Sequence, residues 1–190
     1  MSRSRRAFSL LELLISSGLA LMILGIGYLL YAGAFQKAVL FSKMSDRYSD
    51  FQNLCRLLTN DLKYSSTDAV FWDASQSALA VFPVRNDARD LERNWATRPT
   101  AYHFESSSSK LTRFVPYPVV YSSKTPLWPS SSFGSYFTAN DVQKKSFSNI
   151  KSFEFSFGDK SQTFILKGNM LKSDGSETEI VVKKVVCSSI

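Results

Sequence analysis

The stretch RSRRAFSLLELLISSGLALMILGIGYLLYAGAFQ, residues 3–36, decides how the rest of the chain is read. From Leu13 to Gln36 it holds no charged side chain. A helix rising 1.5 Å per residue makes that run about 36 Å long, enough for a hydrocarbon core of about 30 Å. A helix in a globular core rarely stays uncharged for so long, so the run is read as a membrane span. Arg3, Arg5 and Arg6 stand just before it, as in a cytoplasmic leader. Lys37, Lys43 and Arg47 follow closely, so flanking cations do little to orient the span.

The helical pattern outlives the apolar run. Phe41, Met44, Tyr48, Phe51, Cys55, Leu58 and Leu62 recur at intervals of three and four, which places them on one face. Asp46, Arg47, Asp50, Arg56, Asn60, Asp61 and Lys63 largely occupy other directions, and no proline interrupts residues 8–64. One continuous helix is expected there: residues 8–36 as the span, residues 37–65 as an amphipathic half. A solitary coiled coil would use the same spacing. The β-patterned remainder instead favours a sheet packed over that half, with the exit at Ser65-Ser66.

Residues 66–190 read as an irregularly connected β-rich head. Ala78–Pro83, Thr100–Glu105, Lys110–Val115, Pro118–Ser122, Phe153–Phe157, Gln162–Leu166 and Glu179–Val186 are the expected strands. Ser173-Asp174-Gly175-Ser176 is the expected turn before the last of them. Residues 84–99 read as a charged connector and 122–149 as a Ser/Pro-rich excursion. The expected fold is α+β: a long N-terminal transmembrane and amphipathic helix packed against one mostly antiparallel sheet of four to seven strands.

Glu12 is the odd residue in the opening stretch, because an acid beside a membrane span is expensive to bury unless paired or held at the interface. It either marks the aqueous boundary or answers a nearby positive group. Cutting the chain between Ala7 and Phe8 would create such a group: the new α-amine would lie four residues before Glu12.

Arg6-Ala7-Phe8-Ser9-Leu10-Leu11-Glu12-Leu13 resembles the processing and methylation signal of type IV prepilins and type II secretion pseudopilins. The resemblance implies that residues 1–7 are a leader removed by a prepilin peptidase after Ala7, and that Phe8 is methylated. It implies that Glu12 neutralises the new amino terminus during assembly, and that the whole has a pilin-like lollipop form. Ser9 stands where Thr is common and Ala7 where Gly is usual; Leu29 stands where major pilins often carry Pro. The long β-rich region resembles the larger minor subunits, PilW-like or J-type pseudopilin. Further implied are partnership with major and minor pilins or pseudopilins, an inner-membrane platform with a separate assembly ATPase, and lipid before assembly. The implied location is the bacterial inner membrane, with an extracytoplasmic head, and then a pilus or pseudopilus.

Composition narrows other classes. The formal charge of +7 is spread thinly beyond the leader, without the concentrated basic footprint that nucleic-acid binding needs. His103 is the only histidine, and it is expected on a strand. Neither a phosphate-binding glycine loop nor a G-x-S-x-G elbow occurs. No catalytic role, cofactor or metal is therefore expected. Asp159, Asp174, Glu177 and Glu179 offer oxygen ligands suited to calcium, but solvated turns explain them as well. Cys55 and Cys187 would be permitted to bridge in an exported head, or stay as separate thiols.

The expected function is a minor pilin-like structural subunit that assembles, primes or modulates a type IV pilus. A minor pseudopilin of a type II secretion system is the alternative within that class. A membrane-anchored binding head is a different class, as is a secreted one released after Ala34 at the small-x-small pattern Ala32-Gly33-Ala34.

Overall fold

The structure is a computed structural model describing residues 9–86, 93–124, 126–128, 132–158, 161–172 and 174–187. The first helix, α1, runs unbroken through Leu10–Lys63. Gly18, Gly25, Gly27 and Gly33 lie inside it without interrupting it. The chain divides into two compact units, Met1–Lys43 and Met44–Ile190. Among described residues the first is solely the apolar part of α1. The second holds the rest of α1 and all the strands.

The exit from α1 is abrupt. Ser65 Oγ donates to the carbonyl of Leu62 at 2.8 Å, capturing an end carbonyl that the helix leaves free, and strand β1 (Ser65–Asp73) begins at that residue. β2 (Ala78–Asn86) returns antiparallel to it. β3 (Arg93–Ala96), β4 (Thr100–Glu105), β5 (Lys110–Pro116), β6 (Tyr121–Ser122) and β7 (Val142–Ser148) complete a seven-stranded sheet. In it, β1 and β4 flank the first half of β2, β5 and β7 follow β4, and β3 with β6 extends the far end of β2. A second sheet, ordered β10-β9-β8, is built from β8 (Ile150–Phe157), β9 (Ser161–Leu171) and β10 (Glu177–Cys187). Every pairing is antiparallel.

The head is thus two sheets, where the sequence reading expected one of up to seven strands. The break falls at Asn149, whose positive φ of 64° re-aims the chain between β7 and β8. Asparagine tolerates that left-handed conformation better than most residues. Its carbonyl accepts from the Asn169 amide at 2.9 Å, and the Ile150 amide donates to Ser109 at 3.0 Å. Two consecutive residues, Asn149 and Ile150, therefore tie both sheets to the same corner.

Phe51, Leu54, Leu58 and Leu62 of α1 form the centre of the core. They meet Leu79, Val81, Tyr102, Phe104 and Leu111 from the first sheet, and Phe153, Phe164, Leu166 and Met170 from the second. The buried stripe shares Phe51, Leu58 and Leu62 with the face read from spacing and departs from it elsewhere. Leu54 belongs to it, Cys55 lies at its margin, and Phe41 and Tyr48 are exposed. Positions 51, 54, 58 and 62 follow the same three-and-four rhythm, turned by one residue at 54.

The opposite face of the first sheet has its own cover. A short helix, α2 (Ser132–Thr138), buries Phe133 and Tyr136 against Ala78, Ala80, Ala101 and Phe114, with Trp128 and Phe137 beside them. It lies in the stretch read as a Ser/Pro-rich excursion. β1, β3 and β7 also went unread as strands, and β6 is shorter than the expected Pro118–Ser122. β1 lacks strict alternation and β7 carries Lys144 and Lys145 in mid-strand, so neither shows the usual signature.

Candidate functional site at the apolar end of the long helix

Ser9 and Glu12 start α1 together. Ser9 Oγ accepts from the Glu12 amide at 3.2 Å, while Glu12 Oε2 accepts from the Ser9 amide at 3.0 Å. The Leu13 amide then donates to the Ser9 carbonyl at 3.2 Å, the first bond of the helical ladder. This is a reciprocal capping box: each side chain satisfies an amide that the helix end would leave open. It also sets a carboxylate at the positive end of the helix dipole. The S-x-x-E spacing of Ser9 and Glu12 is the sequence signal of such a box.

From this cap onward the helix surface is uncovered. Leu10, Leu14, Leu19, Met22, Leu24 and Leu29 are all exposed, and none of the most apolar window of α1 is buried. A Cβ added at Gly18, Gly25, Gly27 or Gly33 would meet nothing within 4 Å. Nothing else among the described residues of this unit packs on that surface. α1 is long and apolar enough to cross a bilayer, so the chain has the topology of a single-pass membrane protein with a β-sheet head. Ala7 and Phe8, the expected processing and modification residues, lie outside the described residues.

The titratable groups of the head are engaged structurally. Asp61 on α1 receives two bonds from Arg113 on β5, at 2.9 Å from Nε and 3.1 Å from Nη2. The buried Tyr102 hydroxyl donates to the same carboxylate and accepts from Arg113 Nε at 3.1 Å. Burial, with Asp61 adding to it, pushes the Tyr102 phenol well above its ordinary pKa. This cluster pins the last turns of the helix to the first sheet, and no local pattern marks Asp61 and Arg113, 52 residues apart, as partners.

His103 stands on β4, as expected, with its ring stacked on Phe137 at 4.6 Å between centroids. Burial lowers its pKa, against the opposing pull of Glu105. The carboxylates considered for calcium serve local contacts. Asp174 accepts from the Ser176 amide and hydroxyl at 2.8 and 2.6 Å, and those bonds lower its pKa. Glu177 pairs with Arg47 at 3.0 Å, and Glu179 with Lys151 at 2.9 Å. Asp159 lies outside the described residues. Among the described residues no cluster of three His, Cys, Asp or Glu side chains is placed to hold a metal ion.

Cys55 and Cys187, the two cysteines weighed for a bridge, stand as free thiols in this structure. Cys55 packs at the edge of the core, where burial pushes its thiol pKa up against the opposing pull of Lys184. Cys187 is exposed at the end of β10. No family model, curated protein or solved structure matches this chain.

Proposed function

We propose that the chain is a minor pilin-like structural subunit, acting in assembly, priming or modulation of a type IV pilus rather than as an enzyme. The supporting observation is a helix of uncovered apolar surface with a single acid, Glu12, at its first turn. Such a surface needs lipid or like helices around it. In lipid it holds the subunit at the bacterial inner membrane, with the head outside the cytoplasm. In a filament the same surface packs against other pilins.

Removal of residues 1–7 by a prepilin peptidase would give Phe8 a free amine. The Glu12 carboxylate, one turn away, would offset the cost of carrying that cation into a low-dielectric setting. The uncovered glycines would let neighbouring helices approach closely. An inner-membrane platform with its own ATPase would supply the work of extraction.

The mature amino terminus tests the reading. Mass spectrometry of the chain isolated from its native membrane should find methylated Phe8. A terminus at residue 35 would mean a secreted head, and an intact leader a plain anchor; either would sink the proposal. Whether the mature chain is recovered with pili or with a secretion complex separates the pilus reading from the pseudopilin one.

A further inference from the structure

β10 is the edge of the second sheet, and its only strand partner among the described residues is β9. Its other side presents a row of open backbone donors and acceptors, a template for a further strand. Beside that edge runs a groove of about 1030 Å³ between β10 and the flank of α1. Tyr48, Gln52, Arg56, Ile180, Val182 and Lys184 line it. Ile180 and Val182 turn toward the core, while Val181 and Val185, 52% and 57% exposed, turn outward. A strand added about 4.8 Å from β10 would send every second side chain into the groove.

The charge of the site selects the occupant. Among the described residues, Arg56 and Lys184 are the only ionic side chains lining the groove, and neither has a carboxylate partner. Lys183 lies on the opposite, outward face of β10 with Glu177 and Glu179, whose carboxylates pair with Arg47 and Lys151. Opposite charges placed across a strand pair attract, whereas like charges repel. On the groove side, a second copy of β10 would bring its own Lys184 and no carboxylate.

We propose that β10 and the adjoining groove receive an extended acidic segment of another protein by strand addition. Main-chain hydrogen bonds would supply affinity, and the cations at Arg56 and Lys184 would supply selectivity. The inference does not depend on the pilus reading, because it uses only the unit Met44–Ile190.

The test uses the full chain in detergent micelles and an eleven-residue peptide of alternating Glu and Val, matched to the length of β10. The comparison peptides carry Lys in place of Glu, or N-methyl groups on alternate amides. Fluorescence anisotropy should show binding of the Glu-Val peptide alone. Hydrogen exchange should show new protection within Glu177–Cys187. The double variant Arg56→Glu, Lys184→Glu should bind the Glu-Val peptide at least about tenfold more weakly, equivalent to about 1.4 kcal/mol. Equal binding of acidic and basic peptides, full binding of the N-methylated peptide, or protection elsewhere would overturn the proposal. So would sedimentation showing that β10 instead joins two copies of the chain.

Discussion

The ring of Phe51 lies directly against Gly168: a methyl group built on that glycine would stand 2.7 Å from Cε2 and 3.0 Å from Cδ2. Phe51 is on α1 and Gly168 at the middle of β9, so this is where the helix comes down onto the second sheet. The missing side chain is what lets the ring reach the sheet.

Gly168→Val should therefore lower head stability by about 2 kcal/mol, the usual scale of overpacking. The added methyls have the Asn149 carbonyl on one side, at 3.3 Å from the Cβ position, and the Phe51 ring on the other. Phe51→Leu should itself destabilise, yet recover part of the loss when combined with Gly168→Val. A denaturant double-mutant cycle on the full chain measures this coupling, and strict additivity would contradict the contact.

The Asp61–Arg113 pair predicts a different pattern. Both side chains are largely shielded, so removing either one strands the other. Arg113→Met should cost about 3 kcal/mol, and Asp61→Leu a similar amount. The two together should cost clearly less than their sum, since no uncompensated charge would remain. Equilibrium unfolding of the four proteins checks it.

Tyr136 sets an alkaline limit. Burial raises its phenol pKa to about 12, with Arg98 pulling it down and Asp141 pushing it up, while its hydroxyl donates to the Pro99 carbonyl. A phenol that ionises later in the folded state contributes stability in full below its unfolded pKa of about 10. That contribution drains away as pH rises toward about 12. Tyr102, shifted in the same direction, steepens the loss. Tyr136→Phe should be less stable at neutral pH but show a shallower decline above about pH 10, measured by unfolding midpoints across pH.

Ser9 and Glu12 allow capping to be separated from charge. Ser9→Ala removes one half of the capping box and should loosen the first turn by about 1 kcal/mol. Glu12→Gln retains an oxygen that can accept from the Ser9 amide but abolishes the negative charge. If the charge of Glu12 governs assembly, Glu12→Gln should impair incorporation into filaments while Ser9→Ala leaves it nearly intact. The opposite ranking would assign Glu12 to the helix cap alone. Amide exchange at the helix start and recovery of the chain in the filament fraction give the two readouts.

The strands that could be read in advance were those whose apolar side chains face one buried side. β4 matches its expected bounds of Thr100–Glu105, and the Phe153–Phe157 alternation lies within β8. β7 escaped because an edge strand needs little apolar burial, and its exposed lysines look like loop. α2 escaped because seven residues are too few to display a helical period, and its role is to cover a face that exists only once the sheet is formed. At the candidate site, the uncharged run and the S-x-x-E pair were both legible, since span and cap are local properties of consecutive residues.

Composition and periodicity alone determined that a long apolar helix leads into an α+β head, because membrane length and helical repeat are written along the chain. Only the tertiary structure decided which helix positions enter the core, that the strands divide at Asn149, and that Asp61, Tyr102 and Arg113 converge. Those outcomes depend on groups far apart in sequence competing for the same buried volume and hydrogen bonds. No local pattern records which of them meet.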